Sequence, residues 1–502
     1  MTRRLIAVGL IALSALLFAS QPAAAQRDPV PWFGVVEPHD AHIHASELGV
    51  GWGRARFLWP WVQPEGPDQW VEAELTSEQL ARERDAGRET VAILIGVADW
   101  ARDADGLPRG LYLPYVDPEI LWAAYVTEAV SRYAGRIDHW IIWNEPDVWD
   151  VDHPGFTWPG TVEDFVQLMR VSYLAAKDAN PDSIIHLAAM SHYWDALYGR
   201  ELYFTRLLDT LTADQHAARH NYYYDVATLH LYFNPADVYE LVAAYRAMQS
   251  DYGIDKPLWL VETNAAPADD PARPVPQPTF KVSLAEQAAF APQALALSRA
   301  AGADRVSIYK LIDTEGDIAA NPEPFGLVRA DGATRPAFRT TQVAVDRLAD
   351  AHTLHWADRG PVAQVIAYTD TQVIRLLWSR LPVAQQVAVP ARAHGAVHLD
   401  MWGTPTPLPA AQGVYTVTLA GATCGEAIGD FCMIGGPVIY IVEDVDESAY
   451  STDDMHVRVL ASSETVMEAL ATPRRPPLPV GLVALPLLLG TWILIRKGSK
   501  PQ

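Results

Sequence analysis

Two glutamates close apolar runs and carry the strongest chemical signal in the chain. Residues 137–147 read Ile-Asp-His-Trp-Ile-Ile-Trp-Asn-Glu-Pro-Asp. A buried run that ends on Glu145, with Pro146 forbidding the strand to continue, puts a carboxylate at the rim of a sheet. Residues 256–264, Lys-Pro-Leu-Trp-Leu-Val-Glu-Thr-Asn, repeat the arrangement, and there the acid is Glu262. Two carboxyl groups that face each other can divide the work on one bond, one as nucleophile and one as proton donor.

Such a pair needs a scaffold that brings several strand ends to one rim. Strand-like runs at 32–36, 51–58, 91–97, 137–143, 184–189, 226–231, 258–261 and 306–311 alternate with helical patterns. The clearest helices span 118–134, with Asp117 as N-cap and Gly135 as stop, then 162–178 and 284–301. Eight repeats over about 300 residues point to an α/β fold, the (β/α)₈ barrel, in which the acids of strands four and seven can face each other across the mouth. The barrel is expected over residues 26–348, ending on a helix at 337–348. From 349 to 445, short β-rich runs at 362–368, 372–378, 387–389, 414–419 and 438–442 read as a small β-sandwich. Residues 446–477 are polar and then proline-rich, and read as a stalk.

Trp143-Asn144-Glu145-Pro146 after an apolar strand resembles the fourth strand of the clan A retaining glycoside hydrolases, and the barrel is nearest in character to families 39 and 5. The resemblance implies that Glu145 is the acid/base and Glu262 the nucleophile of a retaining enzyme acting on β-O-glycosidic bonds of oligo- or polysaccharides. The clan's usual Glu-X-Gly is here Glu262-Thr263-Asn264. Gly49-Val50-Gly51-Trp52-Gly53-Arg54 resembles the second strand, where an arginine keeps the nucleophile ionised; Arg56, two residues on, competes for that slot. His230 and Tyr232 resemble the His-X-Tyr that ends strand six, the tyrosine bonding the nucleophile and the histidine lining the sugar pocket. Asn144 is implied to contact the sugar 2-hydroxyl. Trp143 is a supporting residue, while Trp100, Trp149, Trp158 and Trp194 fall in loops where each could stack on a sugar or pack the loop. Strand eight ends Ser307-Ile308-Tyr309-Lys310-Leu311, without the tryptophan that many relatives place there. No metal or cofactor is implied.

A competing motif is Asp40-Ala41-His42-Ile43-His44, which matches the Asp-X-His-X-His of metal-dependent amidohydrolases. Here the polar Glu37-Pro38-His39 breaks the strand first, so both histidines are expected on a short helix, where residues two apart face different ways. A catalytically inactive glycan-binding barrel is the other alternative.

The chain's ends bear on location. Arg3-Arg4, an apolar stretch from Leu5 to Phe18 and Ala23-Ala24-Ala25 read as a signal peptide over residues 1–25. Residues 478–495 form an uncharged, apolar run of 18, followed by a cationic tail at 496–502, and read as a transmembrane anchor with a cytoplasmic end. The protein is thus expected outside the cytoplasmic membrane and tethered at its C-terminus. Between residues 26 and 470 there are 31 basic against 61 acidic residues, a surface that disfavours nucleic acid and suits neutral polymers. Cys424 and Cys432 are the only cysteines, and in an oxidising compartment a small disulfide loop is expected.

Overall fold

The computed structural model describes residues 27–153, 155–444 and 455–463. The expected signal peptide, transmembrane run and tail lie outside the described residues. Among those described, no helix is long and apolar enough to cross a membrane.

Eight parallel strands form one sheet: β1 (Val30–Val36), β2 (Val50–Leu58), β3 (Glu89–Ile95), β4 (His139–Asn144), β5 (Ile184–Ala189), β6 (Ala227–His230), β7 (Leu258–Thr263) and β8 (Arg305–Ile308). Their spatial order is β5-β4-β3-β2-β1-β8-β7-β6. The pairs His186–Val226 and Met190–Leu229 join β5 to β6 and close the barrel. β4 and β7 are buried at every position, because one face fills the barrel and the other meets the helical layer. That double burial is why these runs are continuously apolar rather than alternating. Inside the barrel, Gly34 of β1 makes room for the fully buried Trp52, since a Cβ there would lie 2.4 Å from the indole.

The helices begin where their sequences supply caps. Thr161 and Asp164 form a capping box for Val162–Ala179, and Ser283 and Glu286 do the same for Leu284–Ala300. The helix Leu284–Ala300 is buried on all sides because its outer face is covered by the β domain, to which Gln293 is hydrogen-bonded at Gly435 and Gly436. One expected start is corrected. Asp117 does not cap a helix; its side chain accepts from the Glu119 amide in a turn, and the helix Leu121–Tyr133 begins later without a side-chain cap.

After the helix Pro336–Leu348 the chain forms antiparallel sheets. A six-stranded sheet runs from Pro405–Pro409 through Gly395–Leu399, Ile439–Glu443, Val373–Ser379 and Val362–Tyr368 to Thr353–Arg359. One of its faces joins the barrel core through Val365, Leu376 and Tyr440. The other packs Leu377 and Ile441 against Val387, Tyr415 and Leu419 of a three-stranded sheet. The third strand of that sheet is Arg458–Ser462, paired with Gln385–Pro390. The reading of 446–477 as a stalk throughout is therefore corrected: this stretch returns a strand to the sandwich, with Met455 buried beside it. Cys424 and Cys432 are disulfide-bonded, closing the loop that carries a two-residue hairpin.

Candidate active site

The ends of β4, β6 and β7 bring Glu145, His230 and Glu262 together, with Arg54 reaching them from within β2. At the end of β4 the backbone leaves the sheet through two left-handed residues, Trp143 (φ 72°) and Glu145 (φ 43°). Non-glycine residues hold such conformations only where the surroundings over-determine them. Here the Glu145 amide is held by the Ala189 carbonyl (3.1 Å), and Thr157 donates to the Asn144 carbonyl (2.6 Å). At the end of β7, Glu262 is 5% exposed, and Glu145 is 4% exposed. An oxygen of each glutamate and a ring nitrogen of His230 all lie within 4.8 Å of one another.

The neighbours of the two acids differ. Arg54 of β2 forms an ion pair with Glu262 Oε1, and the Tyr232 hydroxyl donates to Glu262 Oε2. Burial by itself would raise this carboxyl, but the Arg54 guanidinium, then His230 and the Tyr232 hydrogen bond, outweigh it and hold Glu262 below its ordinary value. Glu145 has no cation of its own. Its partner is His230 Nδ1, 2.5 Å from Oε1. The far nitrogen of that ring, Nε2, sits 3.3 Å from Arg54 Nη1. The same nitrogen lies 3.5 Å from Glu262 Oε1. His230 is thus the link between the two acids.

Asp147 stands two residues beyond Glu145 and is buried. Its Oδ2 accepts from the Ser191 amide and hydroxyl and from the His192 amide, tying the loop after β4 to the loop after β5. Burial, with the nearby Glu145 carboxyl, pushes Asp147 up to about 7. A folded-state value above the unfolded one means that Asp147 costs stability increasingly as pH rises from about 4 to 7. Asp147→Asn should therefore melt like the wild type at pH 4 and about 2–4 °C higher at pH 8, read by a thermal unfolding series.

Arg54, Asn144 and Glu262 line one cavity together with Glu37, Arg56, Ile93, Ile95, Thr157, Tyr309 and Asp317. Tyr309 occupies the position at the end of β8 where the sequence lacked a tryptophan, and packs edge-on against Tyr232. Trp100 and Trp143 are not brought to this cavity. The Trp100 indole donates to the Gln63 carbonyl (2.8 Å) and packs on Trp59. Trp143 donates to Thr157 (3.1 Å) and packs between Trp122 and Trp158. Trp158 and Trp194 are buried in loop packing, and Trp149 lies under Arg200, 4.4 Å from the guanidinium. Arg56 pairs with Glu37 (2.9 Å) and Glu74 (3.0 Å), which leaves Arg54 as the partner of Glu262.

Comparison with solved structures finds this architecture in several glycoside hydrolases of low sequence identity. A family 39 glycoside hydrolase from Bacteroides cellulosilyticus WH2 matches with a TM-score of 0.58 at 16% identity, over 83% of this chain and 81% of that one. A family 30 endoxylanase from Clostridium papyrosolvens C71 matches with a TM-score of 0.52 at 13% identity, over 84% and 98%. The family 51 α-L-arabinofuranosidase AbfB from Bifidobacterium longum matches with a TM-score of 0.52 at 13% identity, over 85% and 98%. The fold is the one these hydrolases share. No family model matches the sequence, and no curated protein matches it.

The amidohydrolase motif does not form a metal centre. His42 and His44 lie on the helix His42–Leu48, and His44 packs edge-on against Phe338 of the helix Pro336–Leu348. Among the described residues the one trio of His, Cys or acidic side chains with metal-like spacing is Glu145, His230 and Glu262. Both oxygens of Glu262 are already engaged there by Arg54 and Tyr232, so a cation would be set against a guanidinium.

Sequence reasoning missed Glu37, Lys310 and Asp317. Glu37 ends β1 as Glu145 and Glu262 end their strands, on a left-handed residue (φ 57°), and the same rule would have found it.

Proposed function

We propose that this protein is a retaining glycoside hydrolase, with Glu262 as nucleophile and Glu145 as acid/base. The observation that carries the reading is the carboxyl pair at the barrel mouth, with an oxygen of each within 4.8 Å. Retaining enzymes place their carboxyls about 5–5.5 Å apart, and inverting ones about 6.5–9.5 Å to admit a water. Glu262, held ionised by Arg54, attacks the anomeric carbon, and Glu145 gives a proton to the leaving oxygen. His230 occupies Glu145 Oε1, which leaves Oε2 to carry that proton. Glu145 then takes a proton from water, which attacks the glycosyl-enzyme ester and frees both the sugar and Glu262. The Tyr232 hydroxyl, on the second oxygen of Glu262, favours the carboxylate as leaving group. Asn144, lining the cavity beside Glu145, is placed to bond the sugar 2-hydroxyl.

The substrate class is a β-O-linked oligo- or polysaccharide. Proton NMR of the first-formed sugar tests the mechanism: the anomer should match that of the substrate, and an inverted first product would overturn it. Arg54 makes a second test. In Arg54→Met, Glu262 keeps its burial and loses its cation, so the acidic limb of kcat/KM should move about 1–3 pH units upward. The rate at pH 5 should fall about 100-fold and partly recover at pH 8. Both ends of the sequence support export and tethering outside the cytoplasmic membrane, which release of activity from intact cells by protease would test.

A further inference from the structure

We infer that the cavity beside Glu262 is a closed receptor for one neutral, terminal sugar, so that the enzyme removes single residues from chain ends and rejects uronates. The inference rests on the glycosidase reading above and names the substrate of the same site. It comes from five charged side chains that no step of the mechanism uses.

Glu37, at the tip of β1, gives Oε1 to Arg56 of β2 at 2.9 Å and Oε2 to Lys310, just beyond β8. Arg56 also holds Glu74, in the loop after β2, at 3.0 Å. Lys310 holds Asp317, on the short helix Glu315–Ala320 beyond β8, at 2.7 Å. Three loops, after β1, β2 and β8, are thereby bound to one another along one side of the mouth. Glu145, which must meet the leaving group, comes from β4 on the far side of β2 and β3 in the ring. The sugar at Glu262 therefore has its leaving group toward β4 and its other end toward the ion cluster. A polymer continuing in that direction meets Glu37, Arg56 and Asp317, so the substrate has to end there.

The charge pattern selects the sugar. The lining holds Arg54 and Arg56 against Glu37, Glu262 and Asp317. Both arginines, and Lys310 behind them, already have carboxylate partners. A uronate would add a further carboxylate with no free cation to receive it, at the cost of burying an unpaired charge. Neutral hydroxyls fit better. Arg56 and Asp317 line the cavity and are the most exposed of its charged side chains, 25% and 23%, so a donor and an acceptor stand ready for groups that both give and take hydrogen bonds. Asp317 and Tyr309 form a shared wall, since both also line a second cavity beneath the same helix.

The test is the early product pattern of the purified wild-type protein on neutral β-linked oligosaccharides labelled at the reducing end, beside aryl β-glycosides of neutral sugars and of glucuronic acid. Expected are monosaccharide as the sole early product, labelled chains shortened by one unit at a time, and at least 100-fold higher kcat/KM on the best neutral aryl glycoside than on the glucuronide. Labelled fragments of mixed length at early times, or comparable turnover of the glucuronide, would overturn the inference while leaving the glycosidase reading intact. No hydrolysis anywhere on the panel would remove that reading and this inference together. Asp317→Ala should join the two cavities, raising release of an intact disaccharide relative to a monosaccharide from aryl glycosides about 10-fold; an unchanged ratio in the folded variant would count against the wall.

Discussion

Glu262→Gln should lower kcat/KM on an aryl glycoside by about 10⁵-fold, the scale on which enzymes lose rate when a covalent nucleophile is removed. The amide keeps the size of the side chain, so the loss reports chemistry rather than packing. It also ends the ion pair with Arg54 in a site where both side chains are 6% exposed. A buried arginine without its partner destabilises, so melting temperature has to be followed beside activity. The decisive readout is rescue of Glu262→Ala, in which the shortened side chain leaves room for a small anion on the nucleophile's face. Azide or formate should restore turnover, and the glycosyl azide formed should have the anomeric configuration opposite to that of the substrate. A product of retained configuration from this variant would mean that Glu262 is not the nucleophile.

The two acids could be read from the sequence because their signal is local. Each closes a continuous apolar run, and each run is continuous because parallel barrel strands are covered on both faces. Arg54, His230 and Tyr232 were legible through motif resemblance, and the structure adds what a motif cannot, namely that His230 spans both acids and reaches Arg54. The tryptophans were not legible. Whether an indole faces a sugar or a neighbouring side chain depends on loop packing, and Trp100 and Trp143 both turned to backbone or side-chain partners.

The ion cluster was illegible for a different reason. Glu37, Arg56, Glu74, Lys310 and Asp317 are spread across the sequence and meet only when the barrel closes β1 against β8. Glu37 obeys the strand-end rule, but in the sequence Glu37-Pro38-His39 reads simply as a polar break after the strand. The strand Arg458–Ser462 escaped detection because it is exposed at every residue. An edge strand of that kind is held by backbone pairing with Gln385–Pro390 and leaves little hydrophobic periodicity to read.

Glu145→Ala separates the roles of the two acids by its dependence on the leaving group. With an activated aryl group that departs unprotonated, the first step needs little acid, and the variant should accumulate the glycosyl-enzyme because water is no longer activated. With a poor leaving group such as an alkyl glycoside or a natural sugar, bond cleavage itself should slow by about 10³–10⁴-fold, the upper range for general acid catalysis. Azide needs no base, so it should rescue turnover on the activated substrate and give a glycosyl azide of retained configuration, the opposite of the Glu262→Ala product. The pH profile adds an independent sign. His230 Nδ1 lies 2.5 Å from Glu145 Oε1, and Glu145→Ala removes that acceptor, so the basic limb of kcat/KM should disappear on the activated substrate. A basic limb that persists in this variant would assign the proton donor to another group near the β4 rim, with Asp147, raised to about 7 and two residues away, as the next residue to replace.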